Sequence, residues 1–213
     1  GSEMCIRDRL RSRLCNIASE CTSTLRNSSA LDKTNLHMSK RMLHLWIRAE
    51  QRKNEKRVGI TPLDASKLLS AGIKVTVEDS ADRIIPIKEY NKVGCEIAKE
   101  HGWPSAPKNT IILGLKELPK YTEIIEHKHI MFGHAFKGQT CGLELLKKFK
   151  AGKGVLYDLE YLTDPEGRRL AAFGYWAGFS GAAVSLKAYA DQQNIKGICG
   201  PVSVFENKEA MVD

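Results

Sequence analysis

Residues 43–77 read LHLWIRAEQRKNEKRVGITPLDASKLLSAGIKVTV and contain one complete strand–helix–strand unit. The apolar run Leu43–Ile47 is short and built from large side chains, as a buried strand is. Thr61-Pro62 then supplies a helix cap and a proline at the first helical position, where its missing N–H is no loss. The helix runs through Leu68-Leu69 and stops at Gly72, and Ile73 to Val77 alternates as a second strand. Two strands joined by a helix pair in parallel. The stretch therefore predicts an α/β fold, a predominantly parallel, Rossmann-like sheet flanked by helices.

Further strands are predicted at Thr110 to Leu113, His129 to Gly133 and Val155 to Leu159. A helix from about Gly138 to Phe149, ended by Gly152, lies between the last two. Beyond Phe173, the small residues of Gly174 to Ala183 lead into a helix reaching about Gln192. In the other direction, residues 1–37 are rich in Arg, Ser and Asn and show neither strand alternation nor a helical apolar face. They are expected to be a non-native or disordered leader, with Met38 or Met42 as the start. The expected domains are a substrate-binding and catalytic domain over residues 38–173, and a connecting helix over residues 174–213 that opens a truncated nucleotide-binding domain.

Composition narrows the class. The 213 residues are 42% hydrophobic with 27% charged, and no apolar run approaches the roughly 20 residues of a membrane span. The net charge of +8 is dispersed among acids, without a basic stripe or interleaved aromatics, so no nucleic-acid partner is expected. Cysteines at 5, 15, 21, 95, 141 and 199 form no C-x-x-C pair and are expected to be reduced, intracellular thiols. The setting expected is cytoplasm, with the peroxisome as alternative.

Ligands of open α/β sheets bind beyond the carboxyl ends of the strands. The residues there are reactive: Arg48 and Glu50 after the first strand, Lys116-Glu117, then His134 and Lys137, then Glu160. Lys116 and His134 would make a pair able to trade protons near neutrality. His127 and His129 read as surface and strand residues, and the 127/129/134 spacing matches no metal pattern. Arg57 is suited to hold a carboxylate in a bidentate fork. Gly167-Arg168-Arg169 is a turn carrying two guanidinium groups, one for a dicarboxylate and one for a pyrophosphate. Gly174, Gly178 and Gly181 do not have dinucleotide spacing and suggest close helix packing.

These residues fall in motifs: Arg48-Ala49-Glu50, Glu55-Lys56-Arg57 with Thr61-Pro62, Val77-Glu78-Asp79-Ser80, and Gly114-Leu115-Lys116-Glu117-Leu118-Pro119. Others are His129-Ile130-Met131-Phe132-Gly133-His134 with Lys137 and Gln139, Leu156-Tyr157-Asp158-Leu159-Glu160, and Gly167-Arg168-Arg169 through Gly181. On them, the chain from about Leu43 closely resembles the N-terminal half of the NAD-dependent, L-lysine-forming saccharopine dehydrogenases, within the alanine dehydrogenase and transhydrogenase N-terminal-domain superfamily. The resemblance implies oxidative cleavage of saccharopine by NAD and water to lysine, 2-oxoglutarate and NADH. It implies Lys116 as the base toward the substrate's secondary amine and His134 as its acid/base partner at the imine. Arg57, Gln139, Arg169 and Phe173 would contact substrate, Arg168 the cofactor, and Glu117 and Glu160 would tune the pair. Arg52 stands where some relatives have lysine. With the nucleotide domain expected beyond Asp213, the chain by itself is expected to turn over nothing. The alternatives are a related amino-acid dehydrogenase or lysine-ketoglutarate reductase domain, or a non-catalytic binding module.

Overall fold

In the computed structural model, the described residues are 42–52, 55–120, 122–135, 140–172, 174–194, 198–200 and 202. The expected leader, Lys137, Gln139 and Phe173 lie outside them. In chain order the elements are β1 (His44–Ile47), α1 (Pro62–Ser70), β2 (Lys74–Glu78), α2 (Ile87–Lys92), β3 (Glu96–Ala98), β4 (Ile111–Leu113), β5 (Lys128–Met131), α3 (Thr140–Gly152), β6 (Val155–Asp158) and α4 (Gly174–Gln193). The six strands form one sheet in the order β3-β2-β1-β4-β5-β6, with every neighbouring pair parallel. This is the Rossmann-like sheet that residues 43–77 predict.

Helix α1 starts where the sequence says it should. The Thr61 hydroxyl accepts from Asp64 N at 3.3 Å, and Pro62 is the first helical residue. Gly72, at φ +80°, turns the chain into β2 in a conformation that L side chains resist. Two elements were not anticipated, α2 and β3. The three residues of β3 are Glu96, Ile97 and Ala98, none of them buried, so this edge strand leaves no apolar pattern to read.

The sheet is covered on both faces, and residues in register show how. Leu45, Ile47, Val75, Val77 and Leu113 pack with Ala65 and Leu68 of α1 and Tyr90 of α2. On the other face, Trp46 and Ile112 meet Trp103, which lies in a short 3-10 turn. Trp103 in turn takes His129 of β5 edge-on, with ring centroids 4.9 Å apart, and His129 meets Phe149 of α3 at 5.6 Å. His127, expected at the surface, is instead buried, and its Nε2 lies 3.0 Å from the Ala106 carbonyl oxygen. The apolar covering of β5 by the Trp103 turn, which sequence spacing does not announce, is the reason.

Contacts divide the chain into two compact units, Gly1–Ala171 and Ala172–Asp213. The second unit contains α4, on which no described residue is buried. No helix among the described residues is long and apolar enough to cross a membrane.

Burial, reinforced by the charge of Arg48 and by His127, lowers the His129 pKa from 6.5 to about 3. The unfolded chain thus takes up a proton near pH 6.5 that the folded chain does not accept until about pH 3. Stability is intact above this window and falls as pH drops through it, by about 1.4 kcal/mol per pH unit for one such group. Urea unfolding at two pH values on either side of the upper limit should show it. Relative to the parent, His129→Phe should lose about 1 kcal/mol less on acidification by one unit below the histidine range; an identical loss would mean that His129 takes up its proton normally in the folded chain.

Candidate active site

The chain leaves β1 toward β2 and returns to β4 on β1's opposite side, so strand order reverses between β1 and β4. Parallel sheets bind ligands at such a switch point. Here it contains a buried ion pair. Arg48, the residue after β1, is 2% exposed, and its guanidinium lies against the backbone of Gly114. A Cβ at Gly114 would stand 2.6 Å from Arg48 Nη2, so only glycine admits this approach. Arg48 donates to the Ala49 carbonyl at 3.2 Å and to the carbonyl of Lys116. Burial pushes its pKa down, and the carboxylates of Glu50, Glu78 and Glu117 oppose that.

Glu50 completes the arrangement. Its carboxylate accepts Leu115 N at 2.6 Å and Lys116 N at 3.0 Å, and lies 3.5 Å from Arg48 Nη1. The half-buried Lys116 is therefore held at both its N–H and its carbonyl. Glu55 is close enough for the Lys116 charge to help hold its carboxyl below the usual range, after the larger effect of a hydrogen bond from Arg57. Arg57 grips Glu55 with Nε at 2.7 Å and Nη2 at 2.5 Å, which raises the Arg57 pKa. The fork expected to face a substrate carboxylate is thus turned toward Glu55. Glu117, expected to act on Lys116, pairs at the surface with Arg52 at 3.0 Å.

A second group forms at the ends of β5 and β6. His134 adopts φ +49°, a left-handed conformation that histidine tolerates better than most residues. Its Nδ1 lies 3.6 Å from Glu160 Oε1, and the same oxygen takes Arg169 Nη2 at 3.1 Å. Asp158 ties the two loops together, accepting Gly133 N at 3.2 Å and Glu160 N at 3.0 Å. Strand order thus brings His134, Glu160 and Arg169 into one cluster, one strand away from Lys116.

A shallow cleft, open to solvent, lies beyond β1, β2 and β4, walled in part by Arg48, Glu50, Glu55, Arg57, Arg83 and Gly114. Neither Lys116 nor His134 is among its walls. Arg83 was missed by sequence reasoning. It donates to the Glu78 carbonyl at 2.7 Å, and its Nε is buried without a hydrogen-bond partner among the described residues. Glu55 stood in a quoted motif without a role; acid and arginine two apart, after a strand, was the available signal.

The N-terminus of α1 carries Asp64, whose carboxylate takes the Thr61 hydroxyl at 2.7 Å, at a helix end where an anion would otherwise be favoured. Arg168, expected to meet the cofactor, is drawn to Asp164 at 2.9 Å and Glu166 at 3.3 Å across an exposed turn. No group of three or more metal-ligating side chains occurs among the described residues.

Comparisons with known proteins bear on this arrangement. Residues 46–180 match the family model for alanine dehydrogenase/PNT, N-terminal domain. The saccharopine dehydrogenase [NAD(+), L-lysine-forming] of Schizosaccharomyces pombe is 46% identical over 150 residues, 70% of this chain and 41% of that protein. The Candida albicans protein of the same name is 45% identical over 167 residues, 76% of this chain and 44% of that protein. The chain thus spans less than half the length of these relatives. Among solved structures, an L-alanine dehydrogenase superposes with a TM-score of 0.52 at 15% identity, over 71% of this chain and 42% of that one, a likeness of fold.

The fit of Arg48 against Gly114 has a measurable consequence. Gly114→Ala should cost roughly 1–3 kcal/mol in urea unfolding, the usual range for overpacking a tight interior. Gly178→Ala, in α4 with nothing within 4 Å of a Cβ, should be neutral or stabilising by up to about 1 kcal/mol. Equal effects would mean that the Arg48 guanidinium does not lie where described.

Proposed function

We propose that this chain, which belongs to the alanine dehydrogenase/PNT N-terminal domain family, is the substrate-binding and acid/base part of an NAD-dependent, L-lysine-forming saccharopine dehydrogenase. The observation that carries the reading is the gathering of proton-handling and carboxylate-binding side chains at one sheet edge. The Lys116 charge acts on Glu55, which Arg57 grips, and His134 lies by Glu160, which Arg169 also meets. The named relatives, at 46% and 45% identity, support saccharopine as the substrate.

In this reading saccharopine lies across the ends of β4, β5 and β6. Arg169 and Arg57 hold its carboxylates, each exchanging a carboxylate of the protein for one of the substrate, and Gln139 and Phe173, outside the described residues, are further substrate contacts implied by the resemblance. Lys116 accepts the proton of the secondary amine as the carbon–nitrogen bond is oxidised to an imine. His134 takes a proton from the attacking water and returns one to the departing amine, so that lysine and 2-oxoglutarate separate. Glu160 keeps His134 oriented and supplies a nearby negative charge, and Glu117 does the same more remotely for Lys116. NAD, the oxidant named for the relatives, would contact Arg168; the chain's residues are assigned proton and binding steps alone. Residues 38–173 would form the substrate domain and residues 174–213 the connection toward the nucleotide-binding part, in a cytoplasmic protein.

Given saccharopine and NAD, the whole protein should release lysine, 2-oxoglutarate and NADH in equal amounts. Lys116→Met and His134→Gln should each reduce kcat by roughly 10²–10⁴-fold with much smaller changes in KM. Arg169→Ala should act the other way, raising the KM for saccharopine with less effect on kcat. Failure to oxidise or bind saccharopine would overturn the reading. An unchanged KM in Arg169→Ala would remove Arg169 from the substrate site.

A further inference from the structure

We propose that Glu50, with Arg48 as its counter-ion, is the positioning residue that aims Lys116 at the substrate; this rests on the acid/base role given to Lys116 above. β1 ends at Ile47, and the last ladder-like bond between it and the β4 segment is Arg48 N to Leu113 O, at 3.0 Å. On the β5 side the segment continues, with Gly114 N donating to Ile130 O at 3.0 Å and Phe132 N donating to Leu115 O at 3.3 Å. The next two N–H groups, of Leu115 and Lys116, pass the end of β1 and find no strand there. Glu50 supplies the missing partner with two oxygens, at 2.6 and 3.0 Å, from 65 and 66 residues away.

Such a carboxylate fork does more than satisfy donors. Charge-assisted bonds to two successive N–H groups hold the Leu115–Lys116 peptide in one orientation. Arg48 grips the carbonyl of Lys116 from the other side while keeping one nitrogen 3.5 Å from Glu50. Residues two apart on one loop thereby hold both sides of a single residue on another. Glu50 and Arg48 side chains are 8% and 0% exposed, so water competes little for these groups. A glutamine would offer one acceptor and present its NH₂ to the second N–H. An aspartate would keep the charge that Arg48 requires but fall one methylene short of both donors. Displacement of a reacting group by about 1 Å can cost roughly 100-fold in rate, so a loosened Lys116 peptide should reduce turnover while saccharopine still binds.

The test compares Glu50→Asp, Glu50→Gln and Lys116→Met in the whole protein. Because removing one member of a buried ion pair can prevent folding, Arg48→Met/Glu50→Gln, which leaves no unpaired charge, is measured with them. Hydrogen exchange at the Leu115 and Lys116 amides reads the clamp directly and should accelerate roughly tenfold or more in the Glu50 variants. With saccharopine and NAD, kcat should fall roughly 10- to 100-fold at a KM within about twofold. The limb of the kcat–pH profile that Lys116→Met abolishes should move. Normal kcat in a folded Glu50 variant with fast-exchanging amides would overturn the proposal, as would a fall in kcat with that limb unmoved, which marks a structural role. If Lys116→Met is inactive in the same series, only the Glu50 proposal has failed; if it is fully active, the acid/base reading of Lys116 fails and this proposal with it.

Discussion

A guanidinium taken out of water at the end of β1 needs a carboxylate beside it, and the match between Arg48 and Glu50 organises the edge where the candidate functional side chains gather. Losing one partner of such a pair typically costs about 3–5 kcal/mol, because the survivor is left as an unpaired buried charge. The pair is not placed for stability alone. It lies at the reversal of strand order, where the loops after β1 and β4 diverge and backbone donors would go unmatched. Gly114 gives the guanidinium room, and the guanidinium with Glu50 fixes the peptide of Lys116. Apolar packing builds the sheet below, but this ionic contact decides how the chain leaves it.

The same device recurs along the edge. Glu78, fully buried at the end of β2, accepts Ala49 N at 2.8 Å, His101 N at 3.0 Å, Trp103 N at 2.7 Å and Trp46 Nε1 at 2.9 Å. It thereby fastens the β1 loop and the Trp103 turn to β2. At the other side, Asp158 accepts the N–H groups of Gly133 and Glu160. Beyond the end of a strand the backbone still carries donors that a buried edge cannot leave to water. A carboxylate from a neighbouring strand satisfies two or more at once. Loops held this way can carry side chains in set positions, which a proton-transfer site requires.

The pairings of the arginines have a functional sense. Arg57 lies on Glu55, Arg169 on Glu160, and Arg168 on Asp164. A dicarboxylate ligand would enter by exchange, replacing one carboxylate at a guanidinium with another. Under the function proposed above, such exchange would keep the cations oriented between turnovers and leave Glu55 and Glu160 near Lys116 and His134.

Residues 43–77 were enough to reach a parallel α/β sheet, because strand alternation, a capping threonine with proline behind it, and a terminating glycine are local signals that act within one or two turns of chain. The later strands and the helices on either side of β6 were legible for the same reason, to within a few residues at each end. β3 and α2 were not, since a three-residue edge strand buries too little to leave a pattern. The site was legible as a set of residues after strands, sharpened by resemblance to a known family. Sequence by itself thus determined the class of fold and which reactive side chains would share an edge. Tertiary structure decided which carboxylate meets which cation: Glu55 paired with Arg57, His127 went inside under Trp103, and Glu50 reached the amides of Leu115 and Lys116. Those choices depend on strand order, which puts β1 beside β4 across some 65 residues of intervening chain, and strand order follows from the packing of the whole sheet rather than from any local spacing.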